Sequence, residues 1–386
     1  MRRVYLDHNA TTPLDPGAVE AMMPYLREKF GNASSIHGFG REVKVAVEEA
    51  REIVANSLGA DPDEIFFTSG GTESDNLAIK GTAFLNRRKG NRIVTSKIEH
   101  QAVLHTCQFL QQEGFEVTYV PVDRYGIVDP GEVERAITDH TILVTIMHAN
   151  NEVGTLQPIV EIGLMCRERR VAFHTDAVQS FGKIPVDVNE LNVDLLSLSA
   201  HKVYGPKGIG ALYIRKGTGI APLTHGGHHE RNRRAGTENV PGIVGFGKAV
   251  QIATEAMECE MGTLARLRDA MCDRLREKIE HVHLNGHPTK RLPGTLNLAF
   301  AGIEGESIVL SLDLKGVAVS SGSACTSSAL EPSHVLSAMG LLPELAQGSI
   351  RFSFGRGNTI EDVDYVVDVL PAIIHRLRAM SPLEAA

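Results

Sequence analysis

The sequence contains few cysteines, and none of them stands in a paired motif. Five cysteines are spread over 386 residues, and no two are spaced as C-x-x-C. Their odd number argues against a disulfide framework, and their spacing argues against a structural zinc site. The five are Cys107, Cys166, Cys259, Cys272 and Cys325.

The chain also lacks a long apolar run and a block of basic residues. Its most apolar stretches have the length of strands, well short of the roughly 20 residues of a spanning helix. The N-terminus turns acidic at Asp7 before any apolar run develops, which argues against a signal peptide. The formal net charge is −8, from 39 Lys+Arg and 47 Asp+Glu. We therefore expect a cytoplasmic protein with no nucleic-acid partner and no membrane partner.

What the sequence does contain is an alternation of short β-rich runs with segments long enough for a helix. Nearly continuous apolar strands in this order are typical of an α/β fold with a mostly parallel sheet covered by helices on both faces. The length exceeds what one hydrophobic core usually serves. We predict a large domain over residues 16–259 and a smaller α+β domain from residues 1–15 and 260–386. The runs predicted as strands of the large domain are 64–68, 92–95, 116–120, 141–146, 171–174 and 194–198.

The pattern changes from Pro241 onward. Apolar residues recur at helical spacing from Ile243 to Ile279, which predicts one long helix or two helices in tandem. Short strands are expected at 294–298, 317–320 and 349–353, followed by a final helix from about residue 360.

Ligands in a sheet of this kind collect at the carboxyl ends of the strands, so the residues that follow each strand are the candidates for a binding site. After the first run comes Ser69-Gly-Gly-Thr72, which opens a helix. Glycines and a helix N-terminus suit a phosphate, although an ordinary turn capped by Thr72 or Ser69 explains the motif equally well. His100 follows the second run and suits ring stacking and proton transfer, or simply a helix start.

Three further residues follow later strands. Asn151 lies in a pair of asparagines that suits either a turn or the oxygens of a ligand. Asp176 ends a strand predicted to be buried, where its charge needs a cationic partner: a protonated pyridine nitrogen, or a buried salt bridge. Lys202 follows a strand among small residues, where a desolvated lysine can form a Schiff base, or where its chain can extend to solvent.

Each feature alone is ambiguous, but together they match the needs of one cofactor. A phosphate cradle, a ring-stacking group, a carboxylate for a ring nitrogen and a Schiff-base lysine each follow a different strand, in that order along the chain. Pyridoxal 5'-phosphate, which accepts electrons released at a substrate carbon, requires all four.

Taken together, the motifs resemble those of the cysteine desulfurases, fold-type-I pyridoxal-phosphate enzymes of the class-V aminotransferase family. The likeness covers nearly the whole chain and implies a seven-stranded sheet in the large domain. The segment 227–239 resembles the nitrogenase-associated, NifS-like type. His8 and Ala33 depart from the usual family pattern and are not expected to touch the chemistry. The most specific motifs are Gly31-Asn-Ala-Ser-Ser35, Ser69-Gly-Gly-Thr-Glu-Ser-Asp-Asn-Leu-Ala-Ile79, Ser199-Ala-His-Lys202 and Ser320-Ser-Gly-Ser-Ala-Cys-Thr-Ser327.

The resemblance implies a role for each site residue. Lys202 would hold the cofactor and move the α-proton of the substrate, while His100 would stack on the ring and relay protons. Asp176 would pair with the ring nitrogen, and Gln179 would bind the phenolic oxygen. Arg351, supported by Asn151, would bind the carboxylate of L-cysteine. The phosphate would be held by Gly71, Thr72, Ser199 and His201, with Thr237 from the second subunit of a homodimer.

Cys325 would accept the sulfur. It lies among small polar residues without helical or strand periodicity, whereas the other cysteines fall in helix-like patterns and are interpreted as small core residues. A thiolate on such a loop can attack the sulfur of cofactor-bound cysteine and carry it to an iron–sulfur scaffold protein. Cys325 is also the candidate for a transient iron–sulfur ligand shared with that scaffold.

Three alternatives remain open from the sequence. The chain could be a plain aminotransferase or a selenocysteine lyase on the same fold, neither of which requires the sulfur-accepting role of Cys325. It could also be a catalytically idle partner in iron–sulfur assembly. The presence of Lys202, Asp176 and His100 argues against an idle partner.

Overall fold

The large sheet has seven strands, six of them parallel. The computed structural model describes residues 2–321 and 332–381. The strands follow the order β2-β8-β7-β6-β5-β3-β4. Six strands run in the same direction, and β8, which lies between β2 and β7, runs in the opposite direction. This confirms the predicted mostly parallel α/β sheet. The strands are β2 (Ile65–Thr68), β3 (Arg92–Ser96), β4 (Glu116–Val120), β5 (Thr141–Thr145), β6 (Ala172–Asp176), β7 (Leu195–Ser199) and β8 (Gly210–Ile214).

Helices cover both faces of this sheet because successive strand residues point to opposite sides and most of them are apolar. On β5, Val144 faces one apolar core and Leu143 faces the other. Asp15 caps the first helix, and Pro16 is its first residue. The helices of this part are α1 (Pro16–Arg27), α2 (Gly38–Asn56), α3 (Gly71–Asn86), α4 (Gln101–Gln112), α5 (Pro130–Ala136) and α6 (Ile159–Arg169).

A second, four-stranded sheet lies in the C-terminal part, in the order β12-β13-β10-β9. Its apolar core includes Val4 and Leu6 from the N-terminal arm, where β1 (Val4–Tyr5) pairs in parallel with β11 (Val317–Ala318). The N-terminal arm therefore packs with the C-terminal residues. The remaining elements are β9 (Val282–Asn285), β10 (Thr295–Phe300), α8 (Gly305–Asp313), β12 (Ser320–Ser321), α9 (His334–Ala338), α10 (Pro343–Gln347), β13 (Ser349–Ser353) and α11 (Ile360–Met380).

One continuous helix, α7 (Val240–Lys278), links the two parts. Of the two possibilities in the sequence, one long helix is therefore correct. Phe246 and Ala253 belong to a core of the large sheet, whereas Leu267 and Met271 belong to the core of the C-terminal part. The predicted boundary between residues 259 and 260 lies inside this helix, and the division into two domains stays a prediction. Within the described residues, no helix is long and apolar enough to cross a membrane.

A buried ion pair fixes the segment before α7 to the sheet. Glu230 accepts hydrogen bonds from both terminal nitrogens of Arg51, at 2.8 and 2.9 Å, and from the backbone N–H of Phe67 at 2.8 Å. Glu230 and the following Arg231 have positive φ angles, of 42° and 51°. Such a backbone is costly for residues with side chains, so the carboxylate contacts hold a conformation that would otherwise be unfavourable.

We predict that Glu230→Ala lowers the free energy of unfolding by about 3–5 kcal/mol, because it removes the buried carboxylate partner of Arg51 and leaves this buried guanidinium with only the more exposed Glu48 as an ionic partner. Chemical denaturation measured by circular dichroism tests this. The control is Glu132→Ala, which removes an exposed pair with Arg135 at 2.6 Å and should cost less than about 1 kcal/mol. Equal effects of the two substitutions would contradict the assignment.

Candidate active site

A cavity of about 340 Å³ lies at the carboxyl ends of the parallel strands. Of the twelve residues that the sequence singles out for the site, ten line this cavity. Asn9, Ala10, Asp75, Met147 and Val178 complete the lining and were not predicted. The ten are Gly71, Thr72, His100, Asn151, Asp176, Gln179, Ser199, His201, Lys202 and Arg351.

A larger depression of about 790 Å³ lies at the opposite end of the strands. Its lining includes Thr141 and Ala172, which begin β5 and β6. None of the predicted site residues lines it. Because ligands of parallel sheets collect at the carboxyl ends, the smaller cavity is the candidate active site.

The N-terminus of α3 forms one wall of this cavity. The helix is preceded by Gly70, at a φ of 151°, and no side chain caps it. Capping by Thr72 or Ser69, the ordinary interpretation of the motif, is therefore wrong. A Cβ atom on Gly71 would come within 2.7 Å of the Val178 side chain, so only glycine fits there. The uncapped N–H groups and the helix dipole provide a site for an anion such as phosphate.

Asp176 ends β6, and its carboxylate is buried at the cavity. Its Oδ1 accepts a hydrogen bond from the backbone N–H of Val178 at 2.9 Å. Burial raises the pKa of this carboxyl, while the nearby charges of His100 and Lys202 lower it. A carboxylate desolvated in this way favours a cationic ligand atom over a neutral one.

Asp75 is a second buried carboxyl group beside Asp176, and the sequence did not single it out. The two carboxylates and the His100 ring present atoms that all lie within 4.8 Å of one another. Burial, followed by repulsion from Asp176, raises the pKa of Asp75 well above its ordinary value. Two carboxylates this close do not both ionise without a cation, so Asp176 is left as the partner for a positive ring nitrogen.

His100 begins a helix and also lines the cavity, so its position is compatible with both interpretations of the sequence. It is the N-cap of α4, and its Nδ1 accepts the backbone N–H of Ala102 at 3.1 Å. This bond leaves Nε2 as the nitrogen that carries the proton of the neutral ring. Burial lowers the pKa of His100, which favours that neutral form. A neutral ring at the cavity wall suits stacking on a flat ligand and proton exchange.

Lys202 faces the cavity and is held there by backbone carbonyls. It ends a single turn that follows β7 directly. Its Nζ donates to the carbonyl oxygens of Asn9 at 2.6 Å and Ala10 at 2.7 Å. Extension to solvent, the alternative for this lysine, is therefore wrong. The adjacent His201 bonds Thr11 Oγ1 at 3.1 Å, and burial together with the charge of Lys202 lowers its pKa to about 4.

Arg351 reaches the same cavity from β13 of the smaller sheet. Its guanidinium donates to the carbonyl oxygen of Asn151 at 3.0 Å and to Asp7 Oδ1 at 2.9 Å. Asn151 therefore supports Arg351 through its backbone. The neighbouring Asn150 has the turn function, since its side chain accepts the backbone N–H of Glu152 at 2.9 Å. A guanidinium held in this way is suited to a ligand carboxylate.

Two predicted residues are not part of the cavity wall as described. Thr237 is exposed and lies outside the lining of its own chain's cavity. Cys325 falls outside the described residues 2–321 and 332–381.

Cys107, Cys166 and Cys272 are buried, as predicted for core residues, but Cys259 is exposed, so the core interpretation of that cysteine is wrong. His8 and Ala33 do not line the cavity.

The residues around the cavity fit pyridoxal 5'-phosphate and define an enzyme that uses it. The uncapped helix start fits the phosphate, the buried Asp176 fits the pyridinium nitrogen, and Lys202 fits the aldehyde. His100 lines the same cavity, where its flat side chain would be available to stack on the ring of the cofactor. The residues for all four functions therefore line one cavity, as a single ligand requires.

The chain belongs to the aminotransferase class-V family, whose model matches residues 4–366. It is 59% identical over 381 residues to "Cysteine desulfurase IscS" of Dictyoglomus turgidum, covering 99% of this chain and 97% of that protein. A solved structure named "NifS-like protein" superposes with a TM-score of 0.92 at 42% identity, over 97% of this chain and 100% of that one. Another, "SspA in complex with cysteine", has a TM-score of 0.82 at 40% identity, over 91% and 98%.

We predict that Asp176→Asn lowers activity about 100-fold or more and leaves the melting temperature nearly unchanged. The amide has almost the same shape as the carboxylate, so packing survives. It cannot form an ion pair with a pyridinium, so the ring nitrogen is no longer kept protonated and the ring accepts electrons less well. The control is Asp194→Asn, at the opposite end of the sheet, where the carboxylate accepts the backbone N–H of Phe173 at 2.9 Å. Asp194→Asn should keep turnover per folded molecule. Retained turnover in Asp176→Asn together with lost turnover in Asp194→Asn would contradict the assignment of Asp176.

Proposed function

We propose that this protein is a cysteine desulfurase, which removes sulfur from L-cysteine to give L-alanine and a persulfide on Cys325. The observation that carries the proposal is the convergence of Lys202, Asp176, His100 and Arg351 on one cavity. Support for the substrate comes from the similarity to a solved structure of a complex with cysteine and to relatives named cysteine desulfurase.

In this proposal the chain's own residues bind the substrate and move its protons. Arg351, fixed by Asp7 and Asn151, binds the substrate carboxylate. Lys202 takes the α-proton, and the Nε2 side of His100 relays protons at the cavity wall. Gly71, Thr72, Ser199 and His201 hold the phosphate of the cofactor, and Gln179 binds its phenolic oxygen. When bound, pyridoxal 5'-phosphate accepts the electrons released at the substrate carbon.

The sulfur step balances without an external oxidant. The Cys325 thiolate attacks the substrate sulfur and forms the new S–S bond while the substrate C–S bond breaks. The electron pair of that bond remains on the substrate carbon, which takes up a proton and leaves as alanine. We propose that the persulfide then passes to an iron–sulfur scaffold protein, with Cys325 as a transient cluster ligand, in the cytoplasm. A dedicated role in nitrogen fixation stays a prediction.

We also propose a homodimer, in which Thr237 of one subunit reaches the cofactor phosphate of the other. An exposed apolar patch supports this: Ile36 is 91% exposed, and Phe30, at 79%, stacks on Phe39 with ring centroids 5.6 Å apart. The segment that precedes Thr237 lies next to residues 33–34, because residues 228–231 and residues 33–34 line the same depression. Apolar surface of this kind on a monomer marks an interaction site, and two-fold self-association is its commonest form.

Other functions on the same fold make different demands. An aminotransferase or a selenocysteine lyase would use the cofactor residues but would not need Cys325. A non-catalytic assembly partner would need neither the cofactor residues nor Cys325. The combination of a Schiff-base lysine with its full set of cofactor partners favours an enzyme over an idle partner.

We predict that Lys202→Ala abolishes turnover and the visible absorption band of the lysine-bound cofactor. The substitution removes the only amine that this proposal assigns to the cofactor aldehyde. Absorption spectra of the protein incubated with pyridoxal 5'-phosphate test this. An unchanged band in the variant would contradict the assignment of Lys202. Lys89→Ala, an exposed lysine in the depression at the opposite end of the sheet, is the control and should keep the band.

We predict that Cys325→Ala abolishes formation of the persulfide and lowers alanine release from L-cysteine about 100-fold or more, because the sulfur acceptor is lost. Mass spectrometry of the protein and amino-acid analysis of the products measure both. Cys259→Ala, which removes an exposed cysteine on α7, should change neither. Full turnover by Cys325→Ala would support the aminotransferase or selenocysteine lyase instead.

We predict that Ile36→Asp combined with Phe39→Asp converts the dimer to a monomer and lowers activity at least about tenfold, because Thr237 no longer reaches the partner's cofactor phosphate. Analytical ultracentrifugation measures the mass. Leu314→Asp, at an exposed leucine in the C-terminal part, should leave the dimer intact. A fully active monomer would contradict a shared site.

A further inference from the structure

Lys183 lies beside the cavity and has no function in the mechanism above. It stands four residues after Gln179, in a series of turns that follows β6. The turn at Gly182 places Lys183 there. The φ angle of Gly182 is +71°, and a Cβ atom on Gly182 would come within 2.6 Å of the Val203 side chain. Because Val203 is the neighbour of Lys202, this close approach places the two lysines in the same region.

The ammonium group of Lys183 fixes the orientation of the Gln179 amide. Lys183 Nζ donates to Gln179 Oε1 at 3.1 Å and to Asn9 Oδ1 at 3.2 Å. On the other side, Gln179 Nε2 donates to the carbonyl oxygen of Asn9 at 3.0 Å. A lysine only donates and a carbonyl only accepts, so the reversed amide would lose both bonds. Gln179, which lines the cavity, is therefore held in the orientation in which Oε1 accepts from Lys183 and Nε2 is the donor.

Lys183 also adds positive charge to this region. Within the described residues, no carboxylate forms a salt bridge with it. Burial, together with repulsion from Lys202 and Arg351, lowers the pKa of Lys183 to about 7. The charge acts in return on the neighbouring imidazoles, because it contributes to the lowered pKa values of His8 and His201.

We propose that Lys183 is a positioning residue, which holds Gln179 as a donor to the phenolic oxygen of the cofactor and places a positive charge beside Lys202. This inference rests on the proposed function. An anionic ring oxygen gains from both the oriented N–H and the charge. A proton on Lys202, once it is joined to the cofactor, is disfavoured by the same charge. The titratable and charged groups that face this region are Lys183, Lys202, Arg351, Asp7, His8, His201, Asp176 and His100.

The test is a pH titration of the visible band of the cofactor-loaded dimer. In Lys183→Met, the midpoint should rise by roughly one pH unit, because a neighbouring cation that opposed protonation of Lys202 is gone. The Kd for pyridoxal 5'-phosphate should rise about tenfold, because Gln179 is free to rotate. Lys183→Arg should restore both values, and Lys89→Met, at an exposed lysine far from the cavity, should change neither.

Lys183→Gln separates the two effects and serves if Lys183→Met does not fold. Its amide keeps a donor but loses the charge, so the midpoint should rise while the Kd stays within about threefold of the wild-type value. A midpoint that is unchanged or lower in both variants would overturn the proposal. A wild-type protein that gives no visible band with the cofactor would overturn the proposed function instead.

Discussion

The burial of the Asp176 carboxylate at the end of β6 is the constraint on which the site depends. A desolvated carboxylate next to the buried Asp75 is stable only with a cation or a proton. In the proposed function a pyridinium nitrogen would supply that cation, and the carboxylate would in turn keep the nitrogen charged and the ring electron-withdrawing. The cost of burying Asp176 would then be offset by the bound cofactor.

The parallel sheet makes this arrangement possible because it gathers residues that are distant in sequence. Lys202 follows β7, Asp176 ends the adjacent β6, and His100 follows β3, which β5 separates from β6; all three residues line one cavity. Arg351 comes from the other sheet, and its bonds to Asp7 and Asn151 join the N-terminal arm to the large sheet. The substrate carboxylate would therefore bind where the two packed parts meet, and the reactive amine of Lys202 lies on the side of the large sheet.

The sequence predicted the features that depend on strand periodicity and on side-chain chemistry. The six predicted strands of the large sheet exist with ends shifted by at most two residues, and ten site residues share the cavity. Strand β8 was missed because its short Gly-Ala-Leu-Tyr-Ile run follows a glycine-rich loop. Asn9 and Ala10 were missed because they bind Lys202 through backbone carbonyl groups that every residue carries. Asp75 and Lys183 gain their importance only from burial and tertiary contacts, which leave no mark on local sequence. Cys325 lies outside the described residues, and its role stays a prediction.

The most direct test of the central claim is a single turnover of the wild-type protein with L-cysteine in the absence of reductant. One equivalent of enzyme should release one equivalent of alanine per active site and gain the mass of one sulfur atom on the peptide that contains Cys325. Release of a keto acid, with the amino group retained on the cofactor, would identify an aminotransferase. That result, or alanine without sulfur on Cys325, would contradict the account.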